Sequence, residues 1–357
     1  MRPVVVEVVQ ELEPGGIQVM VLELERLLAG DVEVHVVSLE NTIERLTALW
    51  PRVSSVGPRL HALAKPPGRD FSTVLTLARL LHRIGATAVH THHIGPLLYG
   101  GLAARLAGVR RLVHTEHDAW HLQSRRRRTL QTAALALLRP HLIADAAMVA
   151  SALVAAIPSS RPIIIANGID TTRFRPGNQL AARRVLGLPL ATQLIGSAGR
   201  LEPVKGHKLL IDAIARLPDT FELAIAGDGS MRAALQEHAI ALGVDERCHF
   251  LGHTDNMEAF YQSLDVFCLP SEAEGLPLAL LEAQSCGIPA VATDVGAVRE
   301  VLAPDVSIAV EPGNAEALAA GLVRAFERRN HATLRPFIID GYDAGAMAAA
   351  YRAVLAA

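Results

Sequence analysis

The sequence has few cysteines, almost no net charge and no long apolar run. Its 357 residues include three cysteines, Cys248, Cys268 and Cys286, and the formal net charge is −2. An odd number of cysteines in apolar surroundings predicts buried free thiols in a reducing compartment. The near-neutral balance argues against a dedicated binder of duplex nucleic acid. The Ala-rich stretch 142–157 contains a charge and falls short of the roughly 20 residues of a membrane span. We therefore expect a cytoplasmic protein.

Two motifs that would indicate a metal or a dinucleotide are also missing. No Asp-x-Asp triplet occurs, whereas transferases that use Mg²⁺ or Mn²⁺ on a diphosphate commonly place such acids together. The first apolar run leads into Glu-Pro-Gly-Gly-Ile-Gln at residues 13–18, which does not match the Gly-x-Gly-x-x-Gly turn of a dehydrogenase. A group of histidines (His90, His92, His93, His114 and His121) has no evident carboxylate set beside it, so we expect no metal site.

The chain length and the spacing of β-branched runs predict two α/β domains. A chain of this length is too long for one ordinary core. Short apolar runs alternate with helical patterns in two separate series. The first series comprises Val4–Val9, Val32–Val37, Ala88–Thr91, Arg111–Thr115, Met148–Ala150 and Pro162–Ala166; the second comprises Leu194–Ala198, Phe221–Ala226, Cys248–Leu251, Val266–Leu269, Ala290–Thr293 and Ser307–Val310. Uninterrupted strands separated by helices indicate parallel sheets covered on both faces.

We therefore predict two Rossmann-like domains whose parallel sheets face an interdomain cleft. The N-terminal domain spans residues 1–168 and the C-terminal domain residues 169–335. Residues 336–357 are predicted to form a C-terminal helix, because Met347, Tyr351 and Val354 recur at helical spacing. In open α/β sheets, ligands bind beyond the carboxyl ends of the strands.

One candidate site lies after the first strand of the second series. The stretch 196–206 carries Arg200 and Lys205 between glycines. Arginine offers a bidentate fork to phosphate oxygens and lysine a mobile point charge. Two exposed loop cations are the ordinary alternative.

A second candidate site is the stretch 271–283, Ser-Glu-Ala-Glu-Gly-Leu-Pro-Leu-Ala-Leu-Leu-Glu-Ala. Gly275 allows a tight turn, and Pro277 suits the first turn of a helix that continues from Leu278 to Ser285. The free amides of that helix start favour an anion. Glu274 then precedes the helix and Glu282 lies about two turns into it, so the two carboxylates can reach hydroxyls on either side of a bound phosphate. A solvated surface pair is the alternative.

Taken together, these stretches resemble the retaining nucleotide-sugar glycosyltransferases of family 4, which have the two-domain GT-B fold. The matching pieces occur in order: Gly-Gly in the first loop, Thr-Glu-His-Asp, Asn-Gly-Ile-Asp, Gly-Arg-Leu-x-x-x-Lys-Gly, Ala-Gly-Asp-Gly-Ser, Phe-Leu-Gly, Pro-Ser-x-x-Glu-Gly-Leu-Pro-Leu-x-x-Leu-Glu-Ala and Thr-Asp-Val-Gly-Ala-Val-Arg-Glu. The resemblance covers the whole chain and is strongest from Ile195 to Glu300. It also implies that the C-terminal helix of residues 336–357 crosses back to the N-terminal domain.

The resemblance implies a role for each matching residue. The implied catalytic residues are His117, Arg200, Lys205 and Glu274. By that resemblance, His117 lies near the reacting sugar, Arg200 and Lys205 bind the diphosphate, and Glu274 binds a sugar hydroxyl. The donor-binding group is Gly15, Gly16, Gly227, Asp228, Gly252, His253, Gly275, Leu276 and Glu282, the last on the ribose. Acceptor contacts are expected from Gln18, His92 and His93. Gln18 stands where many relatives have Glu.

The basic residues lie mainly in the first half of the chain. Residues 1–168 hold 18 of the 34 basic and 13 of the 36 acidic residues. The densest run is Arg125, Arg126, Arg127 and Arg128, preceded by Trp120 and Leu122. A solvated helix start explains such a run, and attraction to anionic lipid headgroups or to a phosphate-bearing acceptor is the alternative. We expect peripheral contact with the inner face of the cell membrane.

The predicted activity is metal-independent transfer of a hexose, with retention, from a nucleoside diphosphate sugar. UDP-sugar is the favoured donor, and a hydroxyl of a lipid-linked or oligosaccharide acceptor is the expected target, in bacterial envelope polysaccharide, lipopolysaccharide or glycolipid synthesis. No cofactor is expected beyond the sugar nucleotide as co-substrate. Two alternatives stay open: a nucleotide-sugar epimerase on the same fold, and a non-catalytic protein that binds sugar nucleotides or glycans.

Overall fold

The computed structural model describes residues 2–328 and 333–356. The chain divides into two compact units, the first formed by Met1–Gly168 with Ala344–Ala357 and the second by Ile169–Asp343. Residues 336–343, predicted to belong to the C-terminal helix of residues 336–357, lie in the second unit. Residues 329–332, inside the predicted C-terminal domain, are outside the described residues.

The first unit is built on a seven-stranded parallel sheet. Its strands are β1 (Val4–Val9), β2 (Glu33–Ser38), β3 (Leu60–Ala62), β4 (Ala88–His92), β5 (Arg111–Glu116), β6 (His141–Ala144) and β7 (Ile163–Ile164). Their order in the sheet is β3-β2-β1-β4-β5-β6-β7. Six helices connect them: α1 (Gly16–Leu28), α2 (Ile43–Leu49), α3 (Phe71–Arg83), α4 (Ile94–Leu106), α5 (Arg125–Leu138) and α6 (Ala147–Ala156).

The second unit has a six-stranded parallel sheet. Its strands are β8 (Gln193–Ala198), β9 (Phe221–Ala226), β10 (Cys248–Gly252), β11 (Val266–Leu269), β12 (Ala290–Thr293) and β13 (Ile308–Val310), in the order β10-β9-β8-β11-β12-β13. The helices are α7 (Gln179–Leu186), α8 (His207–Ile214), α9 (Arg232–Ala241), α10 (Met257–Ser263), α11 (Leu278–Ser285), α12 (Val298–Val301), α13 (Ala315–Glu327) and α14 (Leu334–Tyr342). This is the strand order of a Rossmann fold.

The C-terminal helix α15 (Ala344–Leu355) belongs to the first unit. Its buried Met347, Tyr351 and Leu355 join the same core cluster as residues of α1 and β1. Burying each of these side chains removes apolar area from water, worth about 1.5–3 kcal/mol per residue. The helix is therefore part of the first unit's core.

The prediction of two parallel α/β sheets is confirmed, with local differences. Met148–Ala150 was predicted as a strand, but these residues lie inside α6, and the strand precedes them at His141–Ala144. Alanine-rich sequence favours helix over strand, which explains the error. The short edge strand β3 was not predicted. Within residues 2–328 and 333–356, no helix combines the length and apolarity needed to cross a bilayer.

Candidate functional site

The loops that carry the predicted donor residues follow adjacent strands of the second sheet. β8 and β11 pair directly, although two other strands lie between them in sequence. The chain therefore leaves these strands toward opposite sides, which opens a crevice at their carboxyl ends. The loop after β8 carries Arg200 and Lys205, and the loop after β11 carries Glu274.

A lysine–glutamate pair joins the two loops. Lys205 Nζ donates to Glu274 Oε1 at 2.7 Å, and Ser271 Oγ donates to the same oxygen at 2.6 Å. The Glu274 side chain is 8% exposed and that of Lys205 is 24% exposed. Charge-assisted bonds in a partly buried setting fix both groups in one geometry. Lys205 and Glu274 were predicted to bind different parts of the donor, and neither their contact nor the hydrogen bond from Ser271 was predicted.

The backbone around this pair depends on glycine. Gly206 has a φ of 66°, and a Cβ there would lie 2.0 Å from the carbonyl oxygen of Pro270. Gly296 has a φ of 56°, and a Cβ there would lie 1.8 Å from the carbonyl oxygen of Glu274. Side-chain-bearing residues rarely adopt this left-handed conformation. Gly296 stands in the quoted Thr-Asp-Val-Gly-Ala motif but received no role from the sequence.

Glu282 lies on α11 and bonds to a buried tyrosine. Tyr261 Oη donates to Glu282 Oε2 at 2.6 Å. Burial, together with the neighbouring Glu282 carboxylate, raises the pKa of Tyr261 well above its ordinary value, so the hydroxyl stays protonated and donates. The bond orients one carboxylate oxygen of Glu282. No sequence signal pointed to Tyr261, because it precedes Glu282 by a whole strand and loop.

The loop after β9 is tied to the loop after β8. Ser230 donates from its amide and its hydroxyl to the two oxygens of Glu202, at 3.1 and 2.7 Å. The predicted donor residues Gly227 and Asp228 lie in this loop, and the Asp228 side chain is 58% exposed. Arg200, in the loop after β8, is exposed as well.

The remaining predicted donor positions lie at nearby strand ends and turns. Gly227 N donates to Gly252 O at 2.8 Å, which joins the ends of β9 and β10. His253 has a 53% exposed side chain. Gly275 O accepts from Ala297 N at 3.2 Å, and Leu276 is buried.

In the first unit, His117 lies in a buried row of polar side chains. His117 Nδ1 is 3.0 Å from Asp145 Oδ2, and His117 Nε2 is 3.0 Å from His92 Nδ1. His92 Nε2 is 2.8 Å from Glu7 Oε2. Burial, and then the charge of His93, lower the pKa of His117 well below its ordinary value, so the ring is neutral at pH 7. The structure thus uses both ring nitrogens of His117 and of His92 inside the unit.

The structure supplies a carboxylate that the sequence analysis did not find. Glu7 on β1 lies 2.8 Å from both His90 Nδ1 and His92 Nε2, because β1 and β4 are neighbours. These three ligand atoms lie within 4.8 Å of one another. Ligands of a tetrahedral zinc ion are about 3.3 Å apart, given zinc–nitrogen bonds of about 2.0–2.1 Å. The two separations of 2.8 Å are shorter than that, and the contact between His92 Nε2 and Glu7 Oε2 is a hydrogen bond.

The other predicted first-unit positions are more exposed. His93 has a 35% exposed side chain and a φ of 66°. Gly15 and Gly16 lie at the N-terminus of α1, and Gln18 Nε2 donates to Glu11 O at 3.1 Å. Of the two adjacent histidines, His93 is the one that solvent reaches.

The arginine run begins helix α5. Arg125, Arg126 and Arg127 are exposed, and Arg128 is half-buried. Trp120 is 48% exposed, whereas Leu122 is buried in a small core cluster. Leu122 is therefore a core residue, and only Trp120 of that pair presents apolar surface to solvent.

Comparison with known proteins assigns both units to one kind of enzyme. Residues 14–173 match the model of Glycosyltransferase Family 4, and residues 178–335 match that of Glycosyl transferases group 1. The chain is 28% identical to EpsF of Bacillus subtilis, a proposed glycosyltransferase, over 81% of this chain and 79% of that protein. It is 35% identical to the lipopolysaccharide core biosynthesis mannosyltransferase LpsB of Rhizobium meliloti, over 44% of this chain and 48% of that protein.

Solved structures share the fold. Anabaena HepE in complex with UDP and glucose superimposes with a TM-score of 0.83 at 19% identity, over 98% of each chain. A glycosyltransferase from Rickettsia africae gives a TM-score of 0.83 at 18% identity, over 99% of this chain and 98% of that one.

Proposed function

Because the chain belongs to the group 1, family 4 glycosyltransferases with the GT-B fold, we propose that it transfers a hexose from a UDP-sugar with retention of configuration. The observation that carries this proposal is the Lys205–Glu274 pair at the switch point of the second sheet. There, a cation that can meet a diphosphate is hydrogen-bonded to a carboxylate that can meet a sugar hydroxyl. Structures of HepE with UDP and with UDP-glucose support the choice of donor at the level of fold.

In this proposal, Arg200 and Lys205 neutralise the diphosphate as the glycosidic bond breaks. Hydrogen bonds to charged groups are worth about 1.5–3 kcal/mol each, which suffices to support the leaving group without a metal ion. The acceptor hydroxyl attacks from the face that the diphosphate leaves, and a phosphate oxygen takes its proton. Glu274 positions the sugar rather than attacking it, because Lys205 and Ser271 already hold its Oε1.

Glu282 is proposed to bind the ribose hydroxyls through the carboxylate that Tyr261 orients. The backbone turns at Gly227 and Gly252 flank the base, and Gly275 and Leu276 contact sugar or phosphate. The first unit is proposed to bind the acceptor, with His93 and Gln18 as contacts. By family resemblance, His117 lies near the transferred sugar. Asp145 and His92 occupy both of its ring nitrogens, so it lines that part of the site without bonding to the sugar through them.

The experiment is donor turnover with EDTA present, against UDP-, GDP- and ADP-sugars. Wild type is compared with Lys205→Ala and with the matched control Lys208→Ala, whose lysine is exposed three residues away on α8. We expect slow, metal-independent release of UDP from one sugar nucleotide, lost only in Lys205→Ala. Epimerised donor without nucleotide release would favour the epimerase. Tight binding with no turnover, even with candidate acceptors, would favour a binding protein.

We also propose that the acceptor is a lipid-linked saccharide reached at an anionic membrane. The exposed Arg125, Arg126 and Arg127 with the exposed Trp120 support this, since each cation near an anionic surface is worth about 1 kcal/mol. Sedimentation with vesicles containing phosphatidylserine should retain the wild type and release the variant with all three arginines changed to Gln. Equal binding to vesicles of phosphatidylcholine alone would refute electrostatic attachment.

A further inference from the structure

Four ionisable side chains form an unbroken hydrogen-bonded row inside the first unit. The row runs from Asp145 through His117 and His92 to Glu7, with separations of 3.0, 3.0 and 2.8 Å. Each of the four is at most 5% exposed. Elements far apart in sequence supply them, since Glu7 is on β1, His92 on β4, His117 after β5 and Asp145 after β6.

The number of protons in this row is fixed by its bonds. Three hydrogen bonds require three protons. Two neutral imidazoles supply one N–H each, and two carboxylates supply none. The row therefore contains one more proton than two neutral histidines and two carboxylates would carry. If a histidine held this proton, the row would bury three ions, one imidazolium and two carboxylates. If a carboxyl group holds it, the row buries a single carboxylate, which costs far less free energy away from water.

Of the two carboxyl groups, Asp145 is the better place for the proton. Glu7 Oε2 lies 2.8 Å from two imidazoles, those of His90 and His92, which favours the carboxylate form. Asp145 has one imidazole partner and one amide donor, Asn167 Nδ2, which reaches the same oxygen, Oδ2, at 2.9 Å. Burial and the acids Asp118 and Glu116 disfavour a negative charge on Asp145 and together outweigh the opposite effects of His93 and a backbone hydrogen bond.

We propose that Asp145 is protonated and that Asp145 and Glu7 are positioning residues that hold His117 neutral in one tautomer. Asp145 Oδ2–H donates to His117 Nδ1, His117 Nε2–H donates to His92 Nδ1, and His92 Nε2–H donates to the Glu7 carboxylate. With both nitrogens engaged, the His117 ring does not accept a proton during the reaction. The significance for catalysis rests on the proposed function; the position of the proton does not.

The pKa shifts agree with this arrangement. Burial raises the pKa of Asp145 well above its ordinary value. For Glu7, burial alone would raise the pKa, but the charges and hydrogen bonds of His90 and His92 lower it to about 2. Burial, and then the charge of His90, lower the pKa of His92 well below its ordinary value. The other titratable groups that face the row are His93, His114, Glu116, Asp118 and, from α15, Tyr351.

Infrared and NMR spectra test the proposal directly on the full chain at pH 7. A protonated carboxyl group gives a C=O band distinct from that of a carboxylate. We expect one such band in the wild type, its loss in Asp145→Asn and its persistence in Glu7→Gln. Two-bond proton–nitrogen spectra of histidine-labelled protein, assigned with His117→Gln, should show Nε2 protonated and Nδ1 unprotonated.

Activity supplies an independent readout through rescue. Asp145→Leu removes the donor to His117 Nδ1, so the His117 ring is no longer held in one orientation. We expect kcat to fall by about tenfold or more, since a small misplacement of a group beside the substrate is costly in rate. Asp145→Asn can donate from its amide, so most of that loss should be recovered. Circular dichroism and melting curves of both variants identify any that fail to fold.

Three results would overturn the proposal. They are loss of the neutral carboxyl band in Glu7→Gln instead of Asp145→Asn, an Nδ1-protonated His117, and a stoichiometric metal ion in the purified protein that is absent from Glu7→Gln. A wild type without any transferase activity would refute the proposed function, while the spectra would still locate the proton.

Discussion

Gly296 is expected to be essential for the position of Glu274. Its φ of 56° is left-handed, and a Cβ would lie 1.8 Å from the Glu274 carbonyl oxygen, whereas ordinary contacts begin at 3.4 Å. In Gly296→Ala the backbone of residue 274 must therefore retreat by more than about 1 Å, a displacement that can cost about 100-fold in rate. The Lys205–Glu274 bond, 2.7 Å in the wild type, would break or reorganise.

Gly313→Ala is the matched control for this substitution. Gly313 is in the same unit with a φ of 74°, and nothing lies within 4 Å of a Cβ built there. Both variants incur the left-handed conformational cost of about 1–2 kcal/mol, but only Gly296→Ala adds a steric clash. We expect the free energy of unfolding of Gly296→Ala to be lower than that of Gly313→Ala by about 1–3 kcal/mol, as at other overpacked sites.

The assays are urea unfolding, and kcat/KM for sugar transfer once the donor is known. Gly313→Ala should keep kcat/KM within about threefold of the wild type, since its cost falls on stability alone, while Gly296→Ala loses about 100-fold. If the two variants lose activity equally, the contact between the loops of residues 274 and 296 does not position Glu274, and the reasoning fails.

Two further predictions concern the second unit. Tyr261→Phe removes the 2.6 Å hydrogen bond to Glu282 and should weaken UDP binding about tenfold, since a bond to a charged group is worth about 1.5–3 kcal/mol. Calorimetry measures the affinity. The control is Tyr99→Phe, in the first unit, which should leave UDP binding unaltered. Burial, and then the charge of Lys205, lower the pKa of His207 to about 4, so its contribution to stability is present above about pH 6.5 and is lost as the pH falls toward 4. His207→Gln should flatten this part of the stability–pH curve by up to about 3 kcal/mol in urea titrations, and an unchanged curve would contradict the burial of a neutral histidine.

Much of the fold could be read from the sequence because parallel strands are nearly continuous apolar runs. Val4–Val9 and Phe221–Ala226 were predicted with the bounds they have in the structure. The same signal fails for short or alanine-rich segments. β3 has three residues and its sheet partner is β2 alone, and Met148–Ala150 has too few β-branched residues to be a strand.

The candidate site was predicted as a set of residues but not as a set of contacts. Sequence motifs gave Lys205 and Glu274, yet their bond depends on the pairing of β8 with β11, which a linear reading does not reveal. Tyr261 and Ser271 were missed because a hydroxyl becomes informative only when its acceptor is known. Glu7 received no role from the sequence, since its histidine partners are more than 80 residues away.

The position of α15 determines the order in which the two units can be completed during synthesis. The first unit's core includes Met347, Tyr351 and Leu355, which follow every residue of the second unit in the chain. A ribosome thus finishes the whole of residues 169–343 before it supplies the last helix of the unit it began with. The apolar surface that α15 covers in the first unit therefore stays exposed until α15 has been synthesised. A fragment ending at Gly168 would keep that face exposed, so the first unit is best produced with α15 joined to it.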